Sequence, residues 1–171
     1  TLSNVKSETI LEYIFKVVSE YKNINLFISL PNFDDKSFQI VKSIKKFSKK
    51  NKNCFLFKSL GKEKYFSLIT YMDGVIGNSS SGIIEVPSLK VGTVNIGNRQ
   101  KGRIIPRSVI NCQNNYTSIK NGIKKLFSKK FKNDLKNVKN PYEGKNTVKK
   151  ITRILEQVRI PDKPIKRFHD L

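Results

Sequence analysis

Residues 77–85 read "GNSSSGIIE", between the apolar run "MDGVI" and a second one, "VPSLKVGTVNIG". Three consecutive serines between glycines suit neither a helix interior nor a buried strand. Their position fits the point where a strand ends and a helix begins. A helix N-terminus leaves up to about four backbone N–H groups unpaired and carries partial positive charge. Ser79, Ser80 and Ser81 add cap oxygens and hydroxyl donors, and Gly82 lets a ligand come close to the backbone. Together these suit a phosphate or pyrophosphate. Glu85 lies one helical turn from Ser81 and on its side. A carboxylate repels phosphate, so Glu85 is assigned to a neighbouring diol such as ribose hydroxyls. Pro87 fits if it falls in the first turn of that helix. The simpler alternative is that the serines only cap a helix. The loop is neither a Walker loop nor a GxGxxG fingerprint.

The next loop, "NIGNRQKGR", adds cations at the same expected edge of the sheet. Arg99 and Arg103 offer a bidentate fork for phosphate that lysine lacks. Of the 34 basic residues 28 are Lys and 6 are Arg, yet Arg99, Arg103 and Arg107 fall within nine positions. That clustering favours a function over an ordinary solvated turn.

These loops need elements to hold them. Short apolar runs at 24–30, 54–57, 74–77, 92–97 and 108–112 read as strands. Helical periodicity marks 3–21, 34–50, 63–72, 117–129 and 146–158, the last capped by Asn146. The Lys-rich stretch 129–145, containing "NPYEG", reads as a connector. Alternating strands and helices predict an α/β fold, a Rossmann-like parallel sheet with helices on both faces. Ligands of such sheets bind beyond the carboxyl ends of the strands. The expected organisation is one domain over 1–158 and an extended tail over 159–171.

Net charge is +21, which invites a nucleic-acid reading. The lysines are scattered rather than striped, with no zinc-finger spacing or RNA-binding aromatic motif, so no specific nucleic acid is expected as partner. No apolar run approaches the roughly 18 residues of a membrane span, and no membrane association is expected. Cys54 and Cys112, 58 positions apart, read as reduced thiols in a cytoplasmic protein, and no metal set or cofactor is indicated.

"IGNSSSGIIEVPSL" followed by "TVNIGNRQKGR" resembles the hydrolysing UDP-N-acetylglucosamine 2-epimerases of sialic acid biosynthesis. "LPNFD" (30–34) and "NPYEGKN" (140–146) match that family's patterns in the same order, and the resemblance covers roughly residues 24–158. It implies two Rossmann-like domains in a GT-B-like arrangement, with the active site between them. This chain is similar to the C-terminal, nucleotide-binding half. The resemblance implies that Ser79 and Ser80 contact the diphosphate, Glu85 the ribose, and Arg99 the nucleotide. It implies that Asn32 faces the substrate cleft, and that Leu60 and Tyr65 pack the base, although Tyr65 also suits an ordinary core position. The implied ligand is UDP or UDP-N-acetylglucosamine, and the pattern admits a homodimer.

The implied reaction eliminates UDP, leaving a glycal, and adds water with inversion at C2 to release N-acetylmannosamine. Acid–base groups are needed at the sugar. The family carries them in its N-terminal domain, so no catalytic residue is assigned here and the chain is expected to lack that half. His169 matches no catalytic position, and Asp34 and Asp35 are explained as acidic residues at a helix start. The donor half of a two-domain glycosyltransferase and a non-catalytic nucleotide-binding module remain as alternatives. The residues leave UDP and GDP undecided.

Overall fold

The computed structural model describes residues 5–31 and 37–159. Asn32, Asp34, Asp35, His169 and nearly all of the expected tail lie outside them. Five strands occur in the expected places: β1 Leu26–Ser29, β2 Cys54–Phe57, β3 Gly74–Gly77, β4 Gly92–Ile96 and β5 Val109–Cys112. The helices are α1 Ser7–Ser19, α2 Phe38–Lys50, α3 Gly61–Thr70, α4 Ser81–Ile84, α5 Tyr116–Leu126, α6 Lys129–Leu135 and α7 Thr147–Gln157. Every strand pairing is parallel, but the strands form two ladders, β1–β2 and β3–β4–β5.

Alternation along the larger ladder sorts its two faces. Ile76, Val94, Ile96, Ile110 and Cys112 join Val17 of α1 and Ile119, Ile123 and Leu126 of α5 in the main core. Val75 instead packs with Tyr65 and Ile69 of α3 and with Val86 in a smaller core. Thr93 turns the same way, toward Gly82 at α4. β4 is buried along its whole length, so the face of "GTVNI" that carries the polar Thr93 and Asn95 is covered as fully as the face of Val94 and Ile96. The polar Asn95 within it donates from its side chain to Asn111, its register partner on β5, at 2.8 Å.

α6 lies inside the stretch expected to be a connector. Its N-cap Ser128 accepts from the Phe131 N–H, and Phe131 and Leu135, four apart, both enter the main core. Only two apolar side chains among seven residues show this, too few for periodicity to mark a helix. α7 forms where expected with Asn146 at its N-cap, though without a side-chain cap bond. None of its residues is buried, and Val148, Ile151 and Leu155 line one exposed face.

Both cysteines are free thiols, Cys112 buried and Cys54 half-buried. Burial raises both thiol pKa values above the ordinary range. A raised pKa leaves less thiolate at a given pH, and thiolate is the reactive form. Timed iodoacetamide treatment at pH 8, followed by mass spectrometry, should label Cys54 slowly and Cys112 more slowly still.

Candidate functional site

β3 ends at Gly77, and the serine loop turns from it into α4. The helix is a single turn, Ser81–Ile84, followed directly by a 3-10 turn over Val86–Leu89 with Pro87 near its start. Pro87 thus falls in the first turn of the 3-10 segment rather than of α4. Proline lacks the N–H that would close another α-turn, so α4 stops and the chain tightens. One turn of helix has little macrodipole. An anion here depends on the serine hydroxyls, the backbone amides and the neighbouring cations instead.

Gly82 has a different use from the one expected. It is buried, and a Cβ there would sit 2.6 Å from the Cγ2 of Thr93 on β4. The Thr93 hydroxyl donates to the Gly82 carbonyl at 2.9 Å. Gly82 therefore lets α4 lie against the sheet; it is not the open face that a ligand approaches.

A pocket of about 320 Å³ opens at the carboxyl ends of β1 and β3, toward the small end of the ~300–1,000 Å³ typical of ligand sites. The pocket thus lies beyond the carboxyl ends of strands from both ladders, the edge at which parallel α/β sheets bind ligands. Ser29 ends β1 at one side of the pocket. Leu60, the N-cap of α3, with Tyr65 and Phe66 of that helix, forms an apolar wall. Ser81 and Glu85 form the polar wall, and Ser59, Gly61 and Lys62 complete the lining. The Glu85 N–H donates to the Ser81 carbonyl at 3.0 Å, closing the turn that holds both on one side. Tyr65 and Ser81 share a hydroxyl–hydroxyl hydrogen bond of 3.0 Å, which joins the two walls.

The loop after β4 does lie beside the serine loop. The Gln100 side chain, only 3 % exposed, donates from Nε2 to the Asn78 carbonyl at 2.8 Å. Arg99, beside it, is exposed and does not line the pocket. Further along, Tyr142 donates from its hydroxyl to the Ile104 carbonyl at 3.0 Å.

Of the residues singled out from sequence, Leu60, Tyr65 and Glu85 meet around one pocket. Ser79 and Ser80 stand just ahead of it, and the Ser79 hydroxyl accepts from the Ser81 N–H at 3.4 Å. Arg99 belongs to the adjoining loop, and Asn32 lies outside the described residues. Sequence reasoning missed Ser29, Lys62, Phe66 and Gln100. Lys62 is one lysine among many, and Gln100 carries no chemistry of its own that would mark it. Asn140 and Tyr142 sat inside the "NPYEG" motif but had no assigned role.

The sequence profile of the family described as UDP-N-acetylglucosamine 2-epimerase matches residues 2–156. The Escherichia coli polysialic acid biosynthesis protein P7 is 38% identical over 173 residues, spanning 100% of this chain and 44% of that protein. The Campylobacter jejuni GDP/UDP-N,N'-diacetylbacillosamine 2-epimerase (hydrolyzing) is 37% identical over 133 residues, covering 77% of this chain and 34% of its own length. In fold, the chain is similar to the Neisseria meningitidis UDP-GlcNAc 2-epimerase bound to UDP-GlcNAc. The TM-score is 0.67 at 16% identity, over 89% of this chain and 41% of that one. The Methanocaldococcus jannaschii UDP-GlcNAc 2-epimerase, in complex with UDP-GlcNAc and UDP, gives a TM-score of 0.64 at 20% identity, over 88% and 40%. The chain thus spans less than half the length of each of these relatives.

Proposed function

Because the chain belongs to the UDP-N-acetylglucosamine 2-epimerase family, we propose that it is the nucleotide-binding half of a hydrolysing enzyme of that kind. The whole protein would convert UDP-N-acetylglucosamine and water into N-acetylmannosamine and UDP, on the way to sialic or related nonulosonic acids. Residues 1–158 would form one domain and 159–171 its tail. The remaining half of the fold would close the cleft over the pocket.

The observation that carries this reading is the pairing of Ser81 and Glu85 on one wall with Leu60, Tyr65 and Phe66 facing them at the strand ends. The apolar wall suits a planar base. Glu85 would accept hydrogen bonds from the ribose hydroxyls, acting as a charged acceptor. Ser79, Ser80 and Ser81 would donate to the diphosphate, with Arg99 reaching it from the adjoining loop. Their contribution matters in the reaction because UDP departs as an anion and hydrogen-bond donors stabilise that charge. Asn32, three positions past the end of β1 in the sequence, would face the substrate cleft.

Calorimetric titration tests this directly. UDP should bind more tightly than UMP, and UMP more tightly than uridine. Glu85→Ala should weaken UDP and uridine alike by about 10–100-fold, the worth of a hydrogen bond to a charged group. Ser80→Ala and Ser81→Ala should weaken UDP while leaving uridine nearly unchanged. Equal affinity for uridine and UDP would sink the diphosphate assignment. GDP titrated in parallel reports the base preference.

A further inference from the structure

Ile84 closes the single turn of α4, and an ordinary α-helix would satisfy its carbonyl with the N–H of Ser88. Here the Ser88 N–H goes to the Glu85 carbonyl at 3.1 Å, because the chain has tightened into the 3-10 turn. The Ile84 carbonyl is met by a residue 56 positions away: the Asn140 side-chain amide donates to it at 2.8 Å. The same Nδ2 donates to the Ser88 hydroxyl at 2.7 Å. Its Oδ1 accepts from the Tyr142 N–H at 3.0 Å, which shapes the Asn140–Pro141–Tyr142 turn. Tyr142 then donates to the Ile104 carbonyl, between Arg103 and Arg107 in the loop after β4. One tripeptide thus grips the segment carrying Glu85 with its first residue and the arginine loop with its third.

We infer that Asn140 and Tyr142 are positioning residues for the nucleotide site. Asn140 sets the carboxylate of Glu85 toward the ribose, and Tyr142 holds the loop that brings Arg99 to the diphosphate. Neither touches the pocket; each acts through the loop it holds. The inference rests on the nucleotide reading given above. It assigns each half of the turn a different part of the ligand, and that division is measurable.

Asn140→Asp is nearly isosteric and retains the acceptor for Tyr142 N–H, but it removes the donor to Ile84 and sets a charge against its carbonyl. It should weaken UDP and uridine alike, by about tenfold, as expected for an orphaned, partly buried acceptor beside the site. In a Glu85→Ala background the same change should have almost no further effect, since the group it positions is gone. Tyr142→Phe retains the ring and loses one donor. It should weaken UDP by a few-fold, on the scale of one neutral hydrogen bond, and leave uridine unchanged, with that loss absent in an Arg99→Ala background. Calorimetry with UDP and uridine on the folded variants, checked by circular dichroism, decides the matter. Equal losses in native and Glu85→Ala backgrounds would assign Asn140 a purely structural role and overturn the proposal, as would unchanged affinity in folded Asn140→Asp. If that variant does not fold, the Tyr142→Phe and Arg99→Ala cycle carries the decision alone. An unchanged affinity in Glu85→Ala would sink the nucleotide reading itself, and this proposal with it.

Discussion

A polypeptide of residues 1–171 alone is expected to leave UDP-N-acetylglucosamine intact. The reaction needs a group to take the C2 proton and another to return one. Among the described residues that line the pocket the only carboxylate is Glu85, which the proposed pose commits to the ribose. Losing general acid–base assistance typically costs ~10²–10⁴-fold. An open half-cleft also fails to fix the sugar against the catalytic groups, and orientation is worth up to about 7–11 kcal/mol. The combined deficit puts turnover below detection. The measurement is UDP release together with deuterium incorporation at C2 in D₂O, run beside a two-domain protein of the family. A rate within a hundredfold of that protein's would overturn the assignment of the chemistry to the other half. Activity lost in Asp34→Asn or His169→Ala would identify the groups responsible, both outside the described residues.

The second large effect belongs to Gly82→Ala. The added methyl lies 2.6 Å from Thr93 Cγ2, and neither side has room, because Thr93 is 3 % exposed on the central strand and hydrogen-bonded to Gly82 itself. Overpacking of this kind costs about 1–3 kcal/mol, or a melting temperature lower by roughly 2–12 °C in a domain of this size. Relief by moving α4 off the sheet would carry Ser81 and Glu85 with it, so UDP affinity should fall along with stability. Thr93→Ser removes the clashing methyl and retains the hydroxyl that donates to the Gly82 carbonyl. The double variant Gly82→Ala/Thr93→Ser should therefore recover most of both losses. Thermal unfolding and UDP titration of the four proteins close the cycle. If Gly82→Ala melts like the parent, or if Thr93→Ser gives no recovery, the close approach at Thr93 is not the reason for this glycine.

The strands, the parallel class and the order of the loops were legible from sequence because each depends on neighbours in the chain. Apolar runs bounded by Pro, Gly and Asn mark β1 to β5, and alternation with helices makes the pairing parallel. Glu85 and Ser81 could be placed on one side because four residues make a helical turn. The family was legible from the two loops "NSSSGIIE" and "NIGNRQKGR", because each is a contiguous motif.

Tertiary structure decided what depends on residues far apart. Local pattern gave Gly82 to a ligand, whereas its burial against Thr93, eleven positions on, gives it to the sheet. The connector at 129–145 turned out to hold α6, whose Phe131 lies against Gly92, a site that no periodicity within a seven-residue helix reveals. Tyr65 stood open between base packing and core, and in the fold it lines the pocket while also packing against Ile69 and Val86. Asn140 reaches back 56 residues to Ile84, and Tyr142 reaches back 38 to Ile104. Such bonds leave no trace in spacing, because their partners are backbone carbonyls, which every residue carries. Sequence alone could name the chemical groups of the site; only the packing of distant segments could say what holds them in place.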